Sequence, residues 1–433
     1  MLDRLFALEH FGIKLGLENI TRLCEALGHP ERSFTTLHVG GTNGKGSVTS
    51  MTHAALVAAG VRAGRYISPH LADLSERYVV GDAAVDAATL NQVAEDVLGL
   101  VDRLRADGAL TVSPTFFEVT TVMAFEIFRR AGVEVAVIEV GLGGRFDATN
   151  VISPVAGAIT TIGFDHQQHL GNTLEAIAFE KAGIIKPGMT VVAGDLPAVA
   201  IEVVRRVAGA RGATLIEASH GVNVDSTMED GRARMTLRTP SGSYGPVHLS
   251  LRGAHQVANA MVAVRLLEAA RDGGVPVTGR AITRGLAATE WPARLELIPV
   301  ERGKQVLIDA AHNTDGAESL AAYLERWHPE RPALVVSVMT DKDVGEILRR
   351  LLPVTSDVFA TLAPSPRATP LDELVRLVAE IRPVSHDGGI HAIADPMEAI
   401  AAALARHDSV CVAGSIFLAG AVRDALVRRA ILH

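Results

Sequence analysis

The sequence predicts an α/β protein of two domains: an N-terminal one with a parallel sheet plus a small antiparallel sheet, and a smaller, Rossmann-like C-terminal one. Three observations predict this. Short apolar runs alternate with helical patterns through both halves, the order that builds parallel sheets from strand–helix–strand units. Between about Leu215 and Leu251 the pattern changes to short alternating segments around Thr239-Pro-Ser-Gly-Ser-Tyr-Gly-Pro246, which reads as antiparallel hairpins. A new strand–helix series begins after about Leu297.

Taken in order, Ser33 to Val39 is a strand that leads into a helix from about Lys45 to Gly60. Val133 to Val140 and Val155 to Ile162 are the continuous apolar runs of strands covered on both faces. After the hairpins a helix runs from His255 to about Ala270, with Val257, Met261 and Val264 at helical spacing. The second series has strands at Val306 to Ala310, Leu334 to Val338, Val358 to Leu362 and Val410 to Ala413. Asp395-Pro-Met-Glu398 offers a capping carboxylate and a first-turn proline, and Thr369-Pro370 is read the same way before a helix from Leu371 to Ile381. The domain boundary is placed near Glu296 to Glu301, giving domains of 1–297 and 298–433.

Composition limits the function. Apolar residues make up 48 % of the 433, and charged residues 21 %, which excludes a disordered chain, a collagen and a disulfide scaffold. With 41 Lys and Arg against 49 Asp and Glu the net charge is −8, which argues against nucleic-acid binding, so an anionic ligand must be held by local groups. Cys24 and Cys411 are far apart in apolar surroundings and read as buried thiols. The first ten residues, Met1 to His10, carry acids and no cleavage pattern, and no 18 apolar residues run uninterrupted. A cytoplasmic protein with no membrane partner is expected.

The strongest motif is Gly40-Gly-Thr-Asn-Gly-Lys-Gly-Ser47 between a predicted strand and a predicted helix. Such a loop turns backbone N–H groups and the positive end of a helix toward one point and so cradles phosphate, with Lys45 reaching the β/γ-phosphates and Ser47 ligating Mg²⁺. The spacing departs from G-x-x-x-x-G-K-[ST] because Gly46 stands between lysine and hydroxyl. The first domain is therefore read as a P-loop ATPase domain, against the plainer reading of a glycine-rich turn. Glu139 ends an apolar strand before Gly141-Leu-Gly-Gly-Arg-Phe-Asp147 and is placed to hold a hard cation in the crevice at the strand ends. Asp165-His166 and Glu180-Lys181 add ionisable groups at the ends of the next elements.

Eight motifs, in order, carry a resemblance: Gly41-Thr-Asn-Gly-Lys-Gly-Ser47, Ser68-Pro-His-Leu71, Phe117-Glu118, Glu139 to Asn150, Asp165-His166 with Leu170-Gly171, Glu180-Lys-Ala-Gly183, His255-Gln256 with Asn259, and Asp309 with His312-Asn313. Together, from Gly12 to Ser415, they resemble bacterial folylpolyglutamate synthase/dihydrofolate synthase, a branch of the ATP-dependent Mur ligase superfamily. Departures are Ala310 and Ala293 where glycine is usual, and Ser337 for a common glycine. The alanines matter because alanine avoids positive φ.

The resemblance implies an ATP-binding, Mur ligase central-type domain followed by a glutamate-ligase domain, and a ligase that adds L-glutamate to dihydropteroate, to folates, or both, through an acyl phosphate. It implies ATP held by Gly41, Thr42, Asn43, Gly44, Lys45, Gly46 and Ser47, with Asn259 at the adenine, Arg294 and His312 at the phosphates and Asp309 at the ribose. Two Mg²⁺ sites follow, with Ser47 on the first and Glu139 and His166 on the second, and with Lys181 carbamylated to an N6-carboxylysine that serves as an oxygen ligand. Lys45, His166 and Lys181 are the implied catalytic groups. Phe117 is implied to stack on the pterin, Asp147 to bond its amino-pyrimidine edge, and Ser68, Pro69 and His70 to close over the pteroate. A monomer acting on small molecules is implied. Residue by residue, the plain alternatives are a core Phe117, a Ser-Pro turn at Ser68, a solvated Arg294 and a phosphate-contacting Lys181. For the whole chain they are a cell-wall Mur ligase acting on a UDP-linked sugar, or a P-loop switch that makes no product.

Overall fold

The strand that carries the glycine-rich motif is central in its sheet. In this computed structural model, which describes residues 2–8, 12, 14, 16–382 and 388–431, β1 spans Thr35–Gly40 and is buried after its first residue. Met1, Glu9, His10, Ile13 and Leu15, used above in reading the N-terminus and the start of the resemblance, lie outside the described residues. Further strands of this sheet are β2 (Ala63–Tyr66), β3 (Tyr78–Val80), β4 (Ala83–Ala84), β5 (Val135–Glu139), β6 (Ala156–Ile159), β7 (Thr190–Ala193) and β8 (Thr214–Glu217). Their order is β4-β3-β2-β5-β1-β6-β7-β8. From β2 to β8 all pairs are parallel, while β3 and β4 turn back antiparallel at one edge.

The apolar runs read from sequence form strands shorter than their hydrophobic stretch. β6 ends at Ile159, and Thr160 to Ile162 continue as loop. Leu215 is a correction: it lies on β8, parallel to β7, so the hairpin region starts later. The small antiparallel sheet consists of β9 (Asn223–Glu229), β10 (Arg232–Thr239) and β11 (Gly242–Arg252), in the order β11-β10-β9.

A third sheet is built from β12 (Glu296–Pro299), β13 (Gln305–Ile308), β14 (Ala333–Val336), β15 (Val358–Ala360), β16 (Ile390–Ala392) and β17 (Ser409–Ala413), in the order β12-β13-β17-β14-β15-β16. Only β12 runs antiparallel to its neighbour. Asp395 caps its helix as read, accepting from Met397 and Glu398 N–H groups at 2.8 and 2.9 Å. Thr369 does not: Pro370 takes the cap position of helix Leu371–Ile381 with no side-chain bond, and the Thr369 hydroxyl is buried with no hydrogen-bond partner among the described residues. Proline without an N–H fits there because that group has no intrahelical acceptor.

Two compact units result, one of Met1–Ser226, Met235–His248 and Val257–Thr289, the other of Thr227–Arg234, Leu249–Gln256 and Glu290–His433. In the first, a core of Val93, Val97, Val122, Phe125, Phe128 and Ile138 packs helices against one sheet face, and Ile159, Ile177, Ile184 and Val191 form a second core. In the second unit Leu307, Leu334, Val336, Leu348 and Leu374 do the same. Among the described residues no helix is long and apolar enough to cross a membrane.

Candidate active site at the ends of three parallel strands

Because β5 and β6 flank β1, the loops leaving all three open at the carboxyl edge of the sheet, where α/β proteins bind ligands. The Gly41–Gly44 loop leaves β1, Glu139 is the last residue of β5, and Asp165 and His166 follow β6. Topology thus gathers motifs more than a hundred positions apart.

The phosphate loop is shaped from outside. Thr42 N–H donates to the Thr161 carbonyl at 2.8 Å, and Asn43 N–H to the Thr161 hydroxyl at 2.9 Å. The Thr160 and Thr161 hydroxyls both donate to the Asn43 carbonyl, at 2.5 and 3.2 Å, and Thr42 Oγ1 accepts from Gly163 N–H at 3.1 Å. Gly44, at φ 80°, caps helix Lys45–Ala58 without a side chain, and a Cβ there would overlap Asn259 Oδ1. This places Asn259 of helix His255–Asp272 against the loop. Ser47 is buried in the first helical turn. Lys45 donates to the Thr42 carbonyl at 3.0 Å.

Lys181 sits near the end of helix Leu174–Ala182, whose start Thr173 caps by accepting from Ala176 N–H. Its side chain is 5 % exposed and donates to the Gly41 carbonyl at 2.8 Å. Burial first, and the Lys45 ammonium second, pull its pKa from the ordinary 10.5 down to about 7. Lys45 and Lys181 therefore meet the same loop from two sides. The helix end is pressed onto the Gly141–Asp147 segment: Arg145 N–H donates to the Glu180 carbonyl, the Arg145 guanidinium pairs with Glu180 at 2.6 Å, and Asn150 Nδ2 bridges the Arg145 and Gly183 carbonyls at 2.9 and 3.2 Å. A Cβ on Gly183 would strike Arg145, which is why glycine follows Lys181-Ala182.

Asp147 is buried, and burial raises its carboxyl pKa against the pull of its hydrogen bonds from Thr149 and the Leu142 N–H. Phe117 lies in the first turn of helix Phe116–Arg130, its ring against Gly141 and stacked on Tyr66 at 6.3 Å between centroids, part of it outside the core. In the Ser68-Pro69-His70 turn, His70 Nδ1 accepts from Arg77 Nε at 2.9 Å, and burial with Arg77 lowers its pKa to about 4. His166 has a left-handed backbone, φ 50°, and its N–H donates to Asp165 at 2.9 Å.

Arg294, Asp309 and His312 belong to the second unit. Asp309, at the end of β13, is buried and accepts from the Leu295 and Ala311 N–H groups, both at 2.8 Å. Burial raises its pKa while Arg294 opposes the rise. His312 Nδ1 lies 2.8 Å from the Ala310 carbonyl.

Among the described residues no three His, Cys, Asp or Glu side chains gather around one point. One hydroxyl, Ser47, and one carboxylate, Glu139, suit Mg²⁺, which takes few protein ligands and completes its octahedron with water and phosphate oxygens. A bare lysine amine is not a ligand this cation favours.

Sequence reasoning gave no role to Thr160 and Thr161 or to the Arg145–Glu180 and Asn150 contacts. A Thr-Thr pair at the end of an apolar strand beside a phosphate-loop strand is a signal that could have found the first.

A Mur ligase middle-domain family model matches residues 39–267, and a Mur ligase glutamate ligase domain model matches residues 293–416. The chain is 35 % identical over 414 residues to the folylpolyglutamate synthase of Lacticaseibacillus casei, covering 94 % of each chain. It is 32 % identical over 426 residues to the dihydrofolate synthase/folylpolyglutamate synthase of Bacillus subtilis, covering 96 % of each. The folylpolyglutamate synthase of Mycobacterium tuberculosis, solved in complex with ADP and AMPPCP, superposes with a TM-score of 0.90 at 33 % identity, covering 98 % of each chain. The chain belongs to the folylpolyglutamate synthase/dihydrofolate synthase family of Mur ligases.

Proposed function

We propose that this protein uses ATP to join the carboxylate of dihydropteroate, of a folate, or of both, to the amino group of L-glutamate. The observation that carries it is the convergence of Lys45 and Lys181 on a phosphate loop fixed by Thr160 and Thr161, in a chain similar over nearly its full length to synthases of this kind. The matched synthases favour this over a cell-wall ligase or a nucleotide switch.

A carboxylate resists attack by an amine because its oxyanion does not leave. Transfer of the γ-phosphoryl group from ATP converts it to an acyl phosphate with a stable leaving group, and the glutamate amine then displaces phosphate. Lys45 and the loop N–H groups bind the phosphates and stabilise charge on the moving phosphoryl group. Mg²⁺, held by Ser47 and by Glu139 with His166 in two sites, supplies neutralisation of phosphate charge when bound. Lys181 serves that cation as a carbamate: its amine, with a pKa of about 7, is neutral often enough at working pH to add CO₂, and the product is an oxygen anion instead of an opposing ammonium. Asn259 contacts adenine, Arg294 and His312 the phosphates, and Asp309 the ribose. Phe117 stacks on the pterin, Asp147 accepts from its amino-pyrimidine edge, and Ser68, Pro69 and His70 cover the pteroate. The chain passes from the ATP-binding domain to the glutamate-ligase domain near the 297/298 boundary, with Arg294 and all of β12 grouped in the second unit, and acts as a cytoplasmic monomer.

The test is phosphate release by purified protein with ATP, using dihydropteroate and tetrahydrofolate as separate acceptors. Release that needs both an acceptor and glutamate supports the reading. Release with ATP alone at the same rate overturns it.

A further inference from the structure

We propose that His38 is a positioning residue: through Thr149 it holds the Asp147 carboxylate as a pure acceptor, so that this carboxylate selects a ligand edge that donates an N–H. The selection rests on the reading of Asp147 given above, while the hydrogen-bond relay stands on geometry. His38 lies on β1 and Thr149 in the short helical turn Ala148–Val151 that Asp147 caps, and both are 0 % exposed. His38 Nε2 is 2.8 Å from Thr149 Oγ1, which donates to Asp147 Oδ1 at 2.5 Å.

Counting hydrogens fixes the direction. Asp147 Oδ1 accepts from the Thr149 N–H at 3.0 Å as well as from its hydroxyl, and Oδ2 accepts from Leu142 N–H at 2.7 Å. The Gly141 N–H also bonds this carboxylate, so donors alone surround its roughly four lone-pair positions, and a ligand group that reaches it must share an oxygen as one more donor. Thr149 has a single hydroxyl hydrogen, and it is committed to Asp147. The Thr149 oxygen must then accept from His38, which puts the ring hydrogen on Nε2 and leaves Nδ1 bare. His38 Nδ1 is buried with no hydrogen-bond partner among the described residues.

In the reverse arrangement a protonated Asp147 donates to Thr149, Thr149 donates to Nε2, and the ring hydrogen moves to Nδ1. That leaves a buried N–H with no acceptor, which proteins rarely tolerate. A bare ring nitrogen is the smaller loss. Burial, with Lys186 adding to it, holds the imidazole pKa near 3, so a cationic ring with hydrogens on both nitrogens does not compete. The unpartnered nitrogen is thus what keeps Asp147 from becoming a donor.

Two measurements test this on the full chain. The ¹⁵N spectrum of histidine-labelled protein, with the His38 signal identified by its loss in His38→Gln, should show a bare Nδ1 and a protonated Nε2. The hydrogen on Nδ1, or a cationic ring at pH 7, overturns the relay. Kinetically, Thr149→Val and His38→Leu should raise KM for the pterin substrate roughly tenfold or more and leave KM for ATP within about twofold, because the lost bonds serve one charged acceptor. His38→Gln, whose amide can donate to Thr149, should recover most of that loss. Equal losses for all substrates, or no recovery by glutamine, reduce His38 to a core residue and overturn the selection. If wild-type protein releases no phosphate with any pteroate, the functional reading fails, and the tautomer measurement still judges the relay.

Discussion

The Lys181 ammonium and the Gly41 carbonyl meet at 2.8 Å, joining the end of a helix to the first residue of the phosphate loop 140 positions earlier. The bond lies inside the protein, and Lys45 stands near enough to repel the same charge. A buried lysine in such a place is a conditional cation, and several expectations follow from its neighbours.

Lys181 should make stability depend on pH. Its folded pKa of about 7 lies below the ordinary 10.5, so the unfolded chain binds more protons between those values and stability rises with pH across that window. Below about pH 7 the cost of burying the ammonium is present in full. Lys181→Met should therefore be more stable than wild type at pH 6.5, and lose that advantage progressively toward pH 10. Urea unfolding of both proteins across this range, in bicarbonate-free buffer so that the amine is unmodified, checks it. The same variant should be nearly inactive, and bicarbonate depletion should lower wild-type activity. Full activity without bicarbonate, with an unmodified lysine by mass analysis, would remove the carbamate from the mechanism.

Lys45→Ala should abolish ligation with the fold intact. Its hydrogen bond is local, to the Thr42 carbonyl three residues back. Loss of this cation should cost on the order of 10²-fold or more in rate. It should also let the Lys181 pKa rise, since Lys45 is among the causes of its depression. Steady-state kinetics and a thermal melt of one preparation separate the two effects.

Phe117→Ala should raise KM for the pterin substrate and spare ATP and glutamate. The ring is half-buried, against Gly141 and Tyr66. An aromatic contact is worth roughly 0.5–1.5 kcal/mol beyond its area, or about 2- to 12-fold in KM. Equal effects on all three substrates with a lowered Tm would make Phe117 a core residue.

Ala293 should tolerate glycine and reject valine. It holds φ 53°, is fully buried, and is pinned by its N–H to Glu296 at 2.8 Å and by its carbonyl from Ala310 N–H at 2.9 Å. Glycine relieves about 1 kcal/mol of left-handed strain but adds unfolded-chain entropy and removes a buried methyl, so stability should stay within about 1 kcal/mol. Valine, branched at Cβ, should lose about 2 kcal/mol or more. Chemical unfolding of both variants decides.

Much of this was legible because local chemistry and topology agree. A strand, a glycine-rich loop and a helix in succession left little choice for residues 35–58, and Glu139 at the end of an apolar run could only face the sheet's carboxyl edge. Ala293 stood out in the sequence as an alanine in a glycine's place, and its backbone is left-handed. What could not be read was contact across sequence distance. Nothing near Thr160 shows that its hydroxyl reaches Asn43, and Thr369 looked like a cap because its spacing was right, although Pro370 takes that position. Leu215 sits in a short alternating segment that either sheet could have used, and only pairing with β7 assigns it.

The two threonines on β6's extension bear on ligand affinity as well as shape. Asn43 is held through its carbonyl by both hydroxyls and through its N–H by one of them, so the loop's rotational freedom is surrendered when the chain folds. Fixing a residue's backbone takes about 1–2 kcal/mol of entropy, and here that loss is charged to folding, not to the arrival of ATP. A chain with Thr160→Ala and Thr161→Ala would bind the same phosphates with the same groups, but more weakly and with a less favourable entropy, and calorimetry would register the change although no atom that touches the nucleotide had been altered.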